Sequence, residues 1–286
     1  MQFTKAHGCG NDFMIIDQDA QRAPSQVGLS TLIERAPTLC DRHRGVGADG
    51  LLVLRSLKPE SSEAPHYEMV VINADGSVAE MCGNGLRCVA HYLHKRGRLT
   101  EGGLLKTGAG DIALHFKSSR EGGAVSEGAE LACAEGWVGA LLAPPREVVA
   151  RALSAQGLPR ALPFVSVSLG NPHAVTFDPA ALSGRLSLVE PLTGLFPEGI
   201  NLSFARLMGP GRVELFVHER GCGWTQACGT GACAAVIAAV TLGLATRGEA
   251  LQVSLPGGSL SITWSERGGL EMWGPAVEVY SGEVLI

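Results

Sequence analysis

The chain has 286 residues, 45% of them hydrophobic and 18% charged, with a formal net charge of −5. That length and apolar content suit one large or two medium domains, and an acidic balance without a dense Lys/Arg stripe argues against nucleic acid or an anionic membrane as the main partner. No apolar run approaches the roughly 20 residues of a membrane span, the opening Met1-Gln2-Phe3-Thr4-Lys5 lacks a basic-then-apolar leader, and eight cysteines over this length do not resemble a small secreted disulfide framework, so a cytoplasmic protein with mostly reduced thiols is expected.

Taken in order, Phe3 to Ile16 reads as a strand, a Gly-rich bend at His7-Gly8-Cys9-Gly10-Asn11-Asp12, and a buried strand Phe13-Met14-Ile15-Ile16. Leu29 to Leu39 has the pattern of a short helix. Asp41-Arg42-His43-Arg44-Gly45-Val46-Gly47-Ala48-Asp49-Gly50 then leads into a strand at Leu51 to Leu54. Positions 45–50 match G-x-G-x-x-G by letter, but a dinucleotide fingerprint follows a strand and opens a helix, whereas these glycines precede a strand, so a nucleotide site is rejected. Tyr67 to Ile72 is a further strand, ending in the turn Asn73-Ala74-Asp75-Gly76-Ser77. A helical pattern follows from Cys82, whose basic end, His91 to Arg98, reads as a solvated helix terminus. Strands around Gly108 and Gly110 complete the half, and the Gly/Ser/Glu-rich stretch 118–129 is the expected boundary.

The second half repeats the plan. Val165 to Leu169 alternates like a strand and runs into Gly170-Asn171-Pro172-His173; Gly199-Ile200-Asn201 turns into a strand through Phe204. Arg212 to His218 alternates again and delivers Glu219-Arg220-Gly221. A second helix opens at Cys228, and strands at 250–255, 259–264 and 276–280 close the chain. Many short strands around one long helix in each half is an α+β pattern, with domains expected at 1–125 and 126–274.

Two stretches organise this pattern. Cys82-Gly83-Asn84-Gly85 and Cys228-Gly229-Thr230-Gly231 each put a cysteine before paired glycines at a helix start, about half a chain length apart, and Asn73 precedes Cys82 by the same stretch as Glu219 precedes Cys228. An internal duplication explains this, and a cleft between the halves is expected to hold both thiols. Helix-start N–H groups favour anions, so each thiol is expected to lose its proton more easily than a free one, and an incoming carboxylate can rest on the same donors. Two such thiols suit the removal of a proton from one face of a carbon and the return of one to the other, with His173 and Glu219 as the polar groups that set the difference between them. Three other readings stay open at this point. The loops can be packing turns around inert cysteines; Cys82, Cys88, His91 and His94 can form a metal site; or one cysteine with His173 can serve a thiol hydrolase. Cys88 and Cys233, deeper in their helices, read as core.

In order and spacing, these segments resemble those of diaminopimelate epimerases over nearly the whole chain. Carrying the resemblance are 7–13, 41–50, Asn73-Ala74-Asp75-Gly76-Ser77, Cys82-Gly83-Asn84-Gly85, Gly170-Asn171-Pro172-His173, Gly199-Ile200-Asn201, Glu219-Arg220-Gly221 and Ala227-Cys228-Gly229-Thr230-Gly231-Ala232. The resemblance implies an isomerase that interconverts LL- and meso-2,6-diaminopimelate without a cofactor or metal, in lysine and peptidoglycan precursor synthesis. Cys82 and Cys228 match the acid/base pair, and His173 and Glu219 the residues that tune it. Gly83, Asn84, Gly229 and Thr230 match the cradle of the reacting carboxylate, and Asn11, Asn73, Asn171, Asn201, Glu219 and Arg220 match further substrate contacts. A guanidinium such as that of Arg220 can clamp a distal carboxylate with two hydrogen bonds. The resemblance also implies two pseudo-symmetric domains, each a strongly curved, mostly antiparallel sheet around a central helix, with the last strand, 275–286, returning to the first domain, and a homodimer. Cys9 and Trp224 depart from residues common in the family, and proline-racemase-like enzymes are the nearest alternative.

Overall fold

The fold is that of a computed structural model, which describes residues 1–21, 27–58, 66–99, 103–116, 138–154, 158 and 160–286; the expected boundary stretch 118–129 lies outside them. The chain divides into two compact units, residues 1–140 with 274–286 and residues 141–273.

In the first unit β1 (Gln2–Gly8) and β2 (Asn11–Asp17) form an antiparallel hairpin. Its two turn residues, Cys9 and Gly10, both have positive φ (54° and 81°), the twist that two-residue hairpins require. Helix α1 (Leu29–Cys40) crosses over to β3 (Gly50–Ser56), which pairs parallel with β2, and β4 (Tyr67–Asn73) returns antiparallel. After the short β5 (Val78–Ala79) comes α2 (Gly83–Lys95), which crosses over to β6 (Gly103–Thr107), parallel with β4. The antiparallel β7 (Gly110–Phe116) follows and then the start of β8 (Val138–Leu142). The last strand of the chain, Val277–Glu283, pairs antiparallel with β1.

The second unit repeats this order. Strand β9 (Glu147–Leu153) lies antiparallel beside β10 (Leu162–Ser168), as the last strand lies beside β1. Then β11 (Pro172–Thr176), α3 (Pro179–Ser183), α4 (Arg185–Thr193) and β12 (Asn201–Gly209) reproduce strand, crossover and parallel strand. The antiparallel β13 (Arg212–Glu219), the short β14 (Gly223–Trp224), α5 (Gly229–Thr241), β15 (Ala250–Leu255), parallel with β13, and β16 (Gly258–Trp264) match β4 through β7 in turn. Strand β17 (Leu270–Gly274) ends the unit, and the Val277–Glu283 strand is β18. The fold is α+β, two domains built alike, each a mostly antiparallel sheet wrapped around a central helix.

Each sheet is covered on both faces, which is why its inner strands are continuous apolar runs rather than alternating ones. Along β3, Leu51 and Val53 join the cluster under α1 with Met14, Ile16, Leu32 and Ala36, while Leu52 faces α2, where a Cβ on Gly85 would meet its Cδ2 at 2.8 Å. In the second unit Leu202, Phe204, Leu182 and Leu192 form the outer cluster, and Val217 faces α5 at Gly231. Burying a side chain such as Phe204 contributes about 2–3 kcal/mol. α5 is apolar all round and buried from Ala232 to Ala239.

The sequence reading needs two revisions. The crossover helices α3 and α4, and strands β5, β8, β9, β11, β14 and β17, are not in the sequence reading. α3 is short, and its start is set by Asp178, whose Oδ1 accepts from the N–H groups of Ala180 (2.9 Å) and Ala181 (3.0 Å), with Pro179 in the first turn. The terminus of α2 is solvated only from His94 to Gly97, since His91, Tyr92 and Leu93 are buried and Tyr92 Oη donates to Asp17 Oδ2 (3.1 Å).

Candidate active site

Cysteine is a poor helix cap, because sulfur accepts hydrogen bonds weakly, yet both central helices begin with one. Cys82 is the N-cap of α2, with φ −137° and ψ 114°, and its Sγ accepts the N–H of Gly85 at 3.4 Å. Cys228 is the N-cap of α5, with φ −128° and ψ 107°, and its Sγ accepts the N–H of Gly231 at 3.3 Å. Both helices are 13 residues long, so the duplication extends to the conformation of the sulfur-bearing residue.

Around Cys82 the first unit assembles Asn11, Gly83 and Asn84. The thiol donates to Asn11 Oδ1 (3.8 Å), and Asn84 Nδ2 donates to the same oxygen (3.0 Å). Gly83 and Asn84 are buried in the first turn of α2, which lies so close to β1 that a Cβ on Gly8 would sit 3.0 Å from Arg87 Nη2 and 3.2 Å from the Asn84 carbonyl. Asn73, at the end of β4, instead donates to Ser77 Oγ (2.9 Å) and shapes its own turn.

The second unit surrounds Cys228 with Thr230, Asn171, His173 and Glu219. Thr230 Oγ1 lies 3.7 Å from the sulfur, Asn171 Nδ2 donates to Thr230 Oγ1 (3.3 Å), and Asn171 Oδ1 faces His173 Nε2 (3.1 Å). The His173 ring therefore reaches the thiol only through Asn171 and Thr230. Burial lowers its pKa to about 3, so it is neutral in the physiological range, and its Nδ1 is buried without a partner. Glu219, steadied by a 2.5 Å bond from Thr225 Oγ1, acts on Cys228 directly. Asn201 and Arg220 form a neighbouring pair. Asn201 Nδ2 donates to the Pro172 carbonyl (3.0 Å), its Oδ1 accepts from the Arg220 N–H (3.0 Å), and the exposed Arg220 guanidinium donates to the Glu198 carbonyl (3.2 Å).

The expectation that a helix start lowers the thiol pKa is overturned at Cys228. Burial, and after it the Glu219 carboxylate, push the thiol well above its ordinary value; the Thr230 hydroxyl and the Gly231 N–H oppose this and are outweighed. Cys88 and Cys233 are buried core, as read from their positions, and burial raises the Cys88 thiol as well. Among the described residues no group of three or more His, Cys, Asp or Glu side chains is placed to hold a metal ion.

The family model of diaminopimelate epimerase matches residues 3–130 and 165–279. Curated relatives named diaminopimelate epimerase include one from Desulforudis audaxviator, 40% identical with 99% of each chain covered, and one from Carboxydothermus hydrogenoformans, 36% identical with 100% of each chain covered. This chain belongs to the diaminopimelate epimerase family. Its fold recurs at low identity in solved structures: a probable proline racemase from Agrobacterium radiobacter (TM-score 0.68, 15% identity, covering 100% of this chain and 93% of that one) and a phenazine biosynthesis protein of the PhzF family from Bacillus anthracis (TM-score 0.68, 17% identity, covering 100% and 99%).

Some of the candidate site's surroundings were not legible in the sequence. Lys5, Asp12, Arg42 and Asp49 form an ion-pair network beside Asn11, and Arg87 is a fully buried guanidinium inside α2. A lone arginine amid Gly83 to Ala90 was the available signal. Trp224 packs against Phe204 and His218, with ring centroids 5.8 and 5.4 Å apart.

Proposed function

We propose that the protein interconverts LL- and meso-2,6-diaminopimelate by a two-base exchange at one α-carbon, with Cys82 and Cys228 each serving one face. The observation that carries this reading is the repeated cysteine cap: two helices of equal length, each starting on a sulfur held in the same backbone conformation. In one direction the thiolate takes the α-proton while the electron pair left on carbon is delocalised into the carboxylate. The opposing thiol then delivers its proton to the other face, so the enzyme ends with the two protonation states exchanged and must re-equilibrate with water. No oxidant, reductant or cofactor is consumed.

The electrostatics of the two caps support this division of labour. The first-turn N–H groups supply fixed donors for the charge that develops on the carboxylate, with Gly83, Asn84, Gly229 and Thr230 forming the cradle. Cys228 has an acceptor in Glu219 for its thiol form and donors in Thr230 and Gly231 for its thiolate form, as a group that alternates between acid and base requires. Asn11, Asn73, Asn171, Asn201, Glu219 and Arg220 are assigned to substrate contacts, with Arg220 on the distal carboxylate.

A cytoplasmic homodimer completes the proposal. No helix among the described residues is long and apolar enough to cross a membrane, and Val279, Tyr280, Leu285 and Ile286 leave apolar surface exposed at the C-terminal end. Sedimentation should give twice the chain mass. The activity itself is tested by incubating purified protein with LL-2,6-diaminopimelate, without added pyridoxal phosphate, and following the meso form by chiral chromatography; failure to form it would overturn the reading.

A further inference from the structure

Two side chains outside the proposed site dictate which way the Asn11 amide points. Asp49 Oδ2 accepts from Asn11 Nδ2 (2.8 Å) and from the Asp12 N–H (3.0 Å). On the other side Arg87 Nη2 donates to Asn84 Oδ1 (2.7 Å), and Asn84 Nδ2 donates to Asn11 Oδ1 (3.0 Å). An ionised carboxylate can only accept and a guanidinium can only donate. With those two groups at its ends, the chain Arg87 to Asn84 to Asn11 to Asp49 has one consistent polarity, and neither amide can flip without losing a hydrogen bond at each end. The consequence falls on sulfur. Asn11 presents its carbonyl oxygen to Cys82, and the thiol donates to it.

We propose that Asp49 is a positioning residue for the Cys82 half of the reaction: by holding Asn11 Nδ2 it keeps the amide oxygen turned to the sulfur and so favours Cys82 as the proton donor. Asp49 touches neither the sulfur nor the substrate in this scheme and acts through Asn11. It is itself held by Arg42, whose Nη2 bridges Asp49 Oδ1 (2.7 Å) and Asp12 Oδ1 (2.6 Å), while Lys5 closes the network on Asp12 Oδ2 (2.6 Å). The charged and titratable groups around the relay are therefore Lys5 and Asp12 from β1 and β2, Arg42 and Asp49 from the segment before β3, and Arg87 with the Cys9 and Cys88 thiols behind it. Near the sulfur of the second unit a hydroxyl, Thr230 Oγ1, stands where the first has an amide oxygen.

The inference rests on the proposed role of Cys82, but its test does not need the substrate. Only the thiolate reacts with iodoacetamide, so the pH dependence of alkylation at Cys82, read by peptide mass spectrometry with the exposed Cys222 as internal reference, reports what the sulfur faces. In Asp49→Ala the Asn11 amide is held at one end only, by Asn84 Nδ2, so its oxygen is less firmly fixed toward the sulfur and its N–H groups gain access to it, which favours thiolate. The Cys82 profile should move to lower pH while Cys222 stays fixed, and turnover should fall about tenfold, the scale of one lost hydrogen bond. Asp49→Asn removes the same charge but keeps an acceptor for Asn11, so it should retain most of the wild-type profile and rate. Equal shifts in the two variants would assign the effect to charge alone and overturn the proposal, as would loss of turnover with an unmoved Cys82 profile. A wild-type protein without epimerase activity whose Cys82 profile still separates the two variants would sink the functional reading and leave the positioning role standing.

Discussion

The two cysteine caps share a backbone and differ in their surroundings, and that difference shows what duplication preserves and what it releases. At both, the sulfur takes the N–H of the third helix residue at nearly the same distance, 3.4 Å for Cys82 and 3.3 Å for Cys228. Around that common frame the first unit places an amide oxygen and an ion-pair network, and the second a hydroxyl, a carboxylate and a buried neutral histidine. Backbone geometry is set by the loop and helix and is inherited whole. The proton preference of each sulfur depends on its burial and its neighbouring side chains and can diverge.

The comparison breaks first at the sulfurs. In the proposed two-base exchange, replacing either Cys82 or Cys228 with Ala removes the acid or base for one face, and turnover should fall by about 10³-fold or more in both variants. A variant that retains wild-type turnover contradicts the equivalence of the two caps.

The glycines that donate to the sulfurs sharpen it. A Cβ on Gly231 would lie 3.2 Å from Cys228 Sγ and 3.1 Å from Val217 Cγ2, so Gly231→Ala pushes the thiol aside and should cost about 100-fold in turnover. A Cβ on Gly85 would instead meet Leu52 Cδ2 at 2.8 Å, deep in the core, so Gly85→Ala should cost about 1–3 kcal/mol and lower the melting temperature by a few degrees. Melting curves and rates on the same two preparations separate these outcomes.

A third difference is pH-dependent. In the unfolded chain His173 takes a proton near its ordinary pKa of 6.5, whereas in the fold burial lowers that value to about 3. Between those values the unfolded state binds more protons, so His173 contributes stability that is fully present above pH 6.5 and is lost as the pH falls toward 3. Wild-type protein should lose more thermal stability between pH 7 and pH 4 than His173→Gln does; parallel curves would contradict the buried neutral imidazole.

The smallest effect concerns the crossovers. The α3 helix relies on Asp178 as its cap, whereas α1 follows Gly28 and has no side-chain cap. Asp178→Ala should cost about 1 kcal/mol, read as a small drop in the denaturation midpoint of the second unit.

Much of this was readable from residue order. The cap cysteines, α1, the strands flanking both loops and the rejection of the 45–50 glycines followed from local signals, and Gly50 does open β3 rather than a helix. The crossover α3–α4 was not readable, because five- and nine-residue helices with Pro179 and Pro191 offer no sustained period. The thiol chemistry was only half readable. The helix start and Glu219 as a group that tunes the thiol are visible in sequence, but the burial that overrides the helix start at Cys228 is a tertiary fact. The Asp49 anchor escaped for the same reason, since its partner Asn11 is distant in sequence, and Arg87 escaped because it reaches Asn11 only through Asn84.

The most direct measurement is a short incubation with LL-2,6-diaminopimelate in deuterated water, followed by separation of the two stereoisomers and mass analysis of each. If separate thiols serve the two faces, deuterium appears at the inverted α-carbon of the meso product while the recovered LL substrate is still unlabelled at early times. Early label in recovered substrate of unchanged configuration would mean that one group both removes and returns the proton, contradicting the account.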